Sequence, residues 1–349
     1  MTFDTNLQAL TQSVLLPGVI DTVLNSNPFT FRILSNAQPW RGTTMDFAVQ
    51  TSSAANGGSY SGVDLFTINT VDPNAKMQFD PRGYYQSITI PGMELDVNHS
   101  NTDRAAELMT LSMTQGANAM ADGIGGVFQL DGTGNGNKDF LGLAAGIDDG
   151  GEVDVYGGLS RTTYTTVKAN ETDLGGALTL EAMATMYDSC KRGSDKPNIL
   201  LTTESIWSDY EALAQPSTVI NTDGYRQMTA SGKAQAALKA ELGFDTLNYR
   251  GAMLVADEKV TSGKMWFINE RWIAFYALAS SLPGYSKMTP SQKDVEGVYG
   301  DEYSGKGLGF YWTGWKQPVN QDAITGQILL KGNLIVSNPR TQGVLNTIS

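Results

Sequence analysis

At 349 residues the chain can bury a large core and is long enough for one or two domains. Charged residues are scarce at 17% and glycine is abundant at 38 residues, a mixture that points to many turns and a surface partly hidden by partners. The balance of 36 acids against 24 bases, a net charge of −12, excludes nucleic-acid affinity built on phosphate neutralisation, which needs clustered Lys and Arg.

Residues 1–45 read as an arm. A short apolar-periodic segment, Leu15–Ile20, is followed by Asn27-Pro28-Phe29 and Gln38-Pro39-Trp40, where each proline is expected to interrupt regular structure. Residues 46–90 then form a polar and aromatic tract without helical period, from Asp46–Val49 to Tyr84–Ile90. So long an extended stretch inside a compact domain marks a functional excursion. It carries too little apolar surface to order itself and is expected to reach a neighbouring subunit.

The best helix spans about residues 101–122, opened by Ser100-Asn101-Thr102-Asp103, where a side-chain oxygen caps and the acid favours the first turn. Leu108, Met109, Leu111, Met113 and Met120, with Ala105, Ala106, Ala117 and Ala119 between them, give it an apolar stripe. About 30 Å of helix suits a spine. Methionines at this spacing read as core filler.

From about 140 to 320 short strands alternate with capped helices. Thr179 caps a helix over 180–192 with Leu180, Met183, Tyr187 and Cys190 on one face, and Gly193 is its stop. A strand over 198–202 and a helix over 204–214 follow, ended by Gln215-Pro216, and further strands fall at 252–256 and 265–268. This order implies a sheet flanked by helices. The last zone holds Ile324, Ile328–Leu330 and Leu334–Val336, apolar enough for a core strand pair that returns beside the spine helix and makes the first domain discontinuous.

The chemistry is mostly negative. Cys190 is the single cysteine and His99 the single histidine, so no intrachain disulfide forms and three or four N and S ligands for a metal cannot be assembled. A nucleophilic triad would have to use His99, whose place before the helix suits a structural role. Cys190 reads as buried core. Asp131–Asp139 superficially matches a calcium loop, but Thr133 and Gly142 stand at two ligand positions, and a tight glycine turn is expected. The acidic run Asp148–Asp154 offers oxygens to a hard cation, yet charge runs ordinarily face water and a solvated loop is expected. No catalytic, cofactor-binding or metal-ligating residue is assigned. The first residues lack the basic and apolar regions of a signal peptide, and the longest apolar run, Met265–Ile268, is far below the roughly 20 residues of a membrane span, so synthesis in the cytosol is expected.

One resemblance stands out. Phe140–Leu143, Asp148-Asp149-Gly150, Tyr156–Arg161 and Tyr164 resemble the start of the axial domain in major capsid proteins of tailed bacteriophages. Leu242–Asp245, Tyr249-Arg250-Gly251, Val255–Lys259 and Gly263–Asn269 are similar to a later segment of that family. The resemblance implies an α+β fold: an N-terminal arm (1–45), an extended β loop (46–90), a peripheral domain (91–139 and 321–349) with the spine helix and β strands, and an axial domain (140–320) with a sheet flanked by helices. It implies a non-enzymatic structural protein without cofactor that assembles with itself, as hexamers and pentamers, into an icosahedral head around double-stranded DNA. Repeated heterologous contacts around closed rings would bury the arm and loop.

The same resemblance implies location in the virion, host cytoplasm during assembly, no membrane, and portal and possible cement-protein partners. Met1 stands only some 45 residues before the loop, so any scaffolding protein is expected to be separate. Some relatives join the loop to a neighbour by a Lys to Asn isopeptide bond. Lys76 is the only loop lysine, and Asn333 or Asn338 its conceivable partner, but an unlinked loop is expected. The alternatives are an encapsulin-like nanocompartment and, in another class, a two-domain hydrolase relying on His99 or a carboxylate near Asp149.

Overall fold

The structure, a computed structural model, describes residues 27–51, 58–66, 73–98, 102–214, 246–278, 286–287 and 310–349. Helix α1 (Pro28–Ser35) begins at Pro28, where the absent N–H has no helical partner to lose and the fixed φ suits a first turn. The expected interruption is therefore a helix start. Phe29, Ile33 and Leu34 are buried, so this part of the expected arm folds onto its own chain. Leu15–Ile20 lies outside the described residues. After the short strand β1 (Gln38–Pro39), strands β2 (Met45–Gln50) and β3 (Asn74–Phe79) pair antiparallel from Met45 opposite Phe79 to Gln50 opposite Asn74.

Strand β4 (Arg82–Pro91) alternates, with Ile88 and Ile90 buried and Ser87 and Thr89 exposed. The second half of the tract thus orders itself within its own sheet, correcting the expectation that the whole excursion needs a neighbour. Helix α2 (Gly92–Asn98) leads to α3 (Thr102–Val127), whose 26 residues run past the expected end near 122. Met109, Met113, Ala117, Met120 and Ile124 form its buried stripe. Leu111, expected in that stripe, is exposed because it lies roughly 200° around the helix from both Met109 and Met113. Gly123 does not stop the helix: a Cβ there would fall on the Tyr84 hydroxyl, and one at Gly116 would lie 2.6 Å from Ile88. These glycines let α3 approach β4 closely.

Past a turn at 131–139 come the small hairpin of β5 (Val155–Tyr156) and β6 (Leu159–Ser160), then β7 (Asn170–Gly176) and helix α4 (Leu180–Cys190). Thr179 Oγ1 accepts the Ala182 N–H at 3.2 Å, capping α4. The helix ends two residues before the expected 192, and Leu180 is exposed while Met183, Tyr187 and Cys190 are buried. Strand β8 (Ile199–Thr202), helix α5 (Glu204–Ala214), and strands β9 (Thr246–Tyr249), β10 (Ala252–Ala256) and β11 (Met265–Ile268) follow. The remaining strands are β12 (Ile273–Ala277), β13 (Ser286–Lys287), β14 (Phe310–Trp312), β15 (Ala323–Val336) and β16 (Gly343–Ile348).

Two six-stranded sheets result. The first has the order β1-β12-β15-β14-β13, with β4 paired along β15 from Pro91 opposite Ala323 to Arg82 opposite Gly332. β15 is one strand of 14 residues instead of the expected strand pair. Lys331-Gly332-Asn333 is no turn; Gly332 makes room for the Tyr276 carbonyl of β12.

The second sheet has the order β7-β16-β11-β8-β10-β9. Leu200, Leu254, Phe267 and Leu345 face the core with Met183, Tyr187, Ile206 and Tyr210 of α4 and α5, while Leu201, Val255, Trp266 and Val344 face the other core. Burial on both faces explains why Met265–Ile268 and Ile199–Thr202 read as unbroken apolar runs. Sheet membership crosses the expected boundaries at 139/140 and 320/321: β12 and β14 join the first sheet and β16 the second.

Candidate assembly surface

The β2–β3 pair is rooted in the core. At the root Met77 and Phe79 are buried, and Phe47 packs edge-on to Phe79 and Tyr276 at 6.1 and 5.6 Å. Gln78 donates its N–H to the Gly157 carbonyl at 2.9 Å, and Gly157, at φ +58°, brings its Cα face against Met77 and Phe79 where a Cβ would clash at 2.9 Å. In segment 58–66 the Ser61 N–H donates to the Asp64 carboxylate at 2.8 Å, and the Tyr60 and Phe66 rings meet edge-on at 5.1 Å. Both rings are still about two-thirds exposed (67% and 65%), and Val63 and Leu65 are fully so. Single exposed apolar side chains are ordinary, but four within nine residues are a concentration of exposed apolar surface.

Lys76, across this hairpin, pairs with Asp46 at 2.8 Å, and its hydrogen bond holds the Asp46 carboxyl below the usual range. Asn333 is wholly buried: its Oδ1 accepts from the Leu141 and Leu334 N–H groups at 2.9 and 3.0 Å, and its Nδ2 donates to the Asp80 carbonyl at 3.0 Å. It is not available to bond a lysine. Asn338 stands half-buried before a turn at Pro339–Thr341.

The acidic run is not a solvated loop at its first residue. Asp148 is buried and lies 3.3 Å from the guanidinium of Arg161, which is also out of water. Asp148 Oδ1 accepts the Gly150 N–H at 2.6 Å, and its two oxygens accept the Val153 and Glu152 N–H groups at 3.3 Å. Arg161 donates to the carbonyls of Val153, Ala145, Gly146 and Val167. Desolvation pushes its basicity down, opposed by Asp148. Glu171 of β7 sits beside this node, its carboxyl pushed up by burial and then by the charges of Asp148 and Asp149.

The other candidates keep to structural places. Asn135, Gly136 and Asn137 all have positive φ in the 131–139 turn, Asp131 accepts from the Thr133 N–H and hydroxyl at 3.0 and 2.8 Å, and Arg82 clamps the carbonyls of Gly132 and Asp139. Burial pushes the Cys190 thiol up to about 12. His99 lies outside the described residues, as does Leu242–Asp245. Among described residues no helix is long and apolar enough to cross a membrane.

Three groups escaped the sequence. Arg161 has only its place beside Tyr156–Ser160 to mark it, and nothing local announces that it is buried. Arg32 and Glu270 form a bidentate ion pair across 238 residues, with the second contact at 2.9 Å, tying α1 to the turn after β11. The exposed side chains of segment 58–66 had a signal in Tyr60, Val63, Leu65 and Phe66, diluted by the surrounding Ser and Gly.

No protein-family model and no curated protein matches the chain. Solved structures do. The chain is similar to the capsid of cyanophage A-1(L), with 12% identity, 92% of each chain covered and a TM-score of 0.64. It is similar to the capsid of Myoviridae phage XM1, with 11% identity, 92% of each chain covered and a TM-score of 0.51. The SrpI encapsulin of Synechococcus elongatus PCC 7942 matches at 12% identity and a TM-score of 0.50, over 92% of this chain and 87% of its own. The chain has the α+β capsid fold that these phage capsids and the encapsulin share.

Proposed function

We propose that the chain is a major capsid protein that assembles with itself into the icosahedral head of a tailed phage around double-stranded DNA. The observation that carries this reading is the fold, which follows a phage capsid subunit over 92% of both chains. The exposed apolar side chains of segment 58–66, between β2 and β3, support it, because such side chains gain by being covered by another copy. Residues 46–79 are the loop, α3 with β4 and β15 the centre of the peripheral domain, and the second sheet with α4 and α5 the axial domain. Hexamers and pentamers repeat the contact, and scaffolding, portal and cement proteins are the further partners. The protein is a structural one and not an enzyme, and works in the virion after assembly in the host cytoplasm. The acidic balance leaves packaged DNA free to move.

Electron microscopy of the expressed chain tests this directly. Closed shells that hold DNA support the head reading. Shells that hold a cargo protein and no DNA point to the encapsulin alternative. Monomers or dimers only, in every salt and with a co-expressed scaffold, overturn both.

A further inference from the structure

The turn at 131–139 holds three successive residues in the left-handed region: Asn135 at φ 51°, Gly136 at 69° and Asn137 at 65°. Asparagine and glycine are the residues that enter it most readily, so the backbone explains why Asn135 precedes Gly136. The pairing also has a chemical consequence. A main-chain nitrogen followed by no Cβ can attack the side-chain amide of the residue before it.

The surroundings leave that attack open. Asn135 and Gly136 are both exposed, and among the described residues neither the Asn135 amide nor the Gly136 N–H has a hydrogen-bond partner. Nothing lies within 4 Å of where a Gly136 Cβ would stand. Asn137, equally exposed, is placed differently: the N–H that follows it, of Lys138, donates to the Gly134 carbonyl at 3.2 Å, and Lys138 carries a Cβ.

We propose that Asn135 is a site of spontaneous deamidation. Hydroxide takes the Gly136 amide proton, the nitrogen attacks Asn135 Cγ, and the bond from Cγ to the amide nitrogen breaks, releasing ammonia. Water then opens the five-membered imide at either carbonyl, giving aspartate or isoaspartate; one water enters, one ammonia leaves and nothing is oxidised. Either product puts a carboxylate between Asp131 and Asp139. Isoaspartate also lengthens the main chain between the Gly132 and Asp139 carbonyls that Arg82 holds together, so older copies carry an altered turn beside β4.

The test is incubation of the full folded chain in mildly alkaline buffer, with peptide mass spectrometry for amide-to-acid conversion and isoaspartyl methyltransferase for the isomer. A synthetic peptide of residues 131–139 is the unfolded reference. Asn135 in the folded chain is expected to convert within about tenfold of the peptide's rate, and Asn137 at least about tenfold more slowly than Asn135. Asn135→Gly, which keeps the left-handed backbone without an amide, should abolish conversion in this segment. Asn56-Gly57, the same dipeptide outside the described residues, falls in a separate peptide. Conversion of Asn135 more than about a hundredfold slower than in the peptide, equal conversion at Asn137, or undiminished conversion in Asn135→Gly overturns the site.

Discussion

Arg161 and Asp148 meet at 3.3 Å with both side chains out of water, and the guanidinium serves four backbone carbonyls as well. Breaking a buried pair by removing one partner strands the other. Arg161→Met is expected to lower stability by about 3–5 kcal/mol, read by chemical denaturation. Arg161→Lys should recover only part, because an ammonium cannot spread its donors over so many acceptors. A midpoint unchanged in Arg161→Met would mean that the node does not hold the fold.

Two glycines near the end of α3 should respond with opposite signs. A Cβ at Gly142 would strike carbonyls at and just past the end of that helix, at 2.7 Å from Val127 O and 2.6 Å from Phe128 O, and backbone cannot step aside. Gly142→Ala is expected to cost about 2–3 kcal/mol. At Gly126 a methyl group would find nothing within 4 Å, so Gly126→Ala should be neutral or stabilise by about 0.5 kcal/mol. Thermal melts of the pair check both; equal shifts would contradict the packing described.

Cys190 titrates near 9.0 when unfolded and is pushed up to about 12 by burial. Folding thus keeps a proton on the thiol that the unfolded chain loses first, so its contribution is intact below pH 9 and lost as pH climbs towards 12. Tyr156, raised from 10.0 to about 12 by burial, acts in the same direction. Stability should fall between these limits, less steeply in Cys190→Ala, and native chain should resist thiol reagents that label it readily in denaturant. Rapid labelling of the native protein at neutral pH would mean that α4 does not cover the thiol. Cys190→Ala should leave assembly intact.

On the proposed function, the exposed side chains of segment 58–66 separate folding from assembly. Val63→Asp with Leu65→Asp alters side chains fully in solvent, so the melt of the single chain should move by no more than about 0.5 kcal/mol. Particles should disappear from light scattering. Wild-type yields of particles would refute a role for this segment. Removing residues 1–40 is a poorer experiment, since it also removes buried Phe29, Ile33 and Leu34.

Helix α5 and strands β10 and β11 have the bounds expected at 204–214, 252–256 and 265–268. Their signals are local: a short apolar run, a cap, a flanking glycine. What the sequence hid depends on distant partners. Gly123 and Gly332 look like stops, and only the Tyr84 ring and the Tyr276 carbonyl reveal that they are points of close approach. Pro28 looks like a breaker until it is seen at a first turn. Asp148 looks solvated because the arginine that buries it is 13 positions away. Segment 58–66 was half legible, as part of an excursion whose root turned out to be anchored by Met77 and Phe79.

Strands β15 and β16 both lie inside their sheets, each with neighbours on either side. A nascent chain still lacking residues 323–348 therefore has two open ladders and no way to close either, however much of it has left the ribosome. Broken or prematurely terminated copies are left with both sheets unfinished, so the order of synthesis itself screens which molecules can reach the folded state.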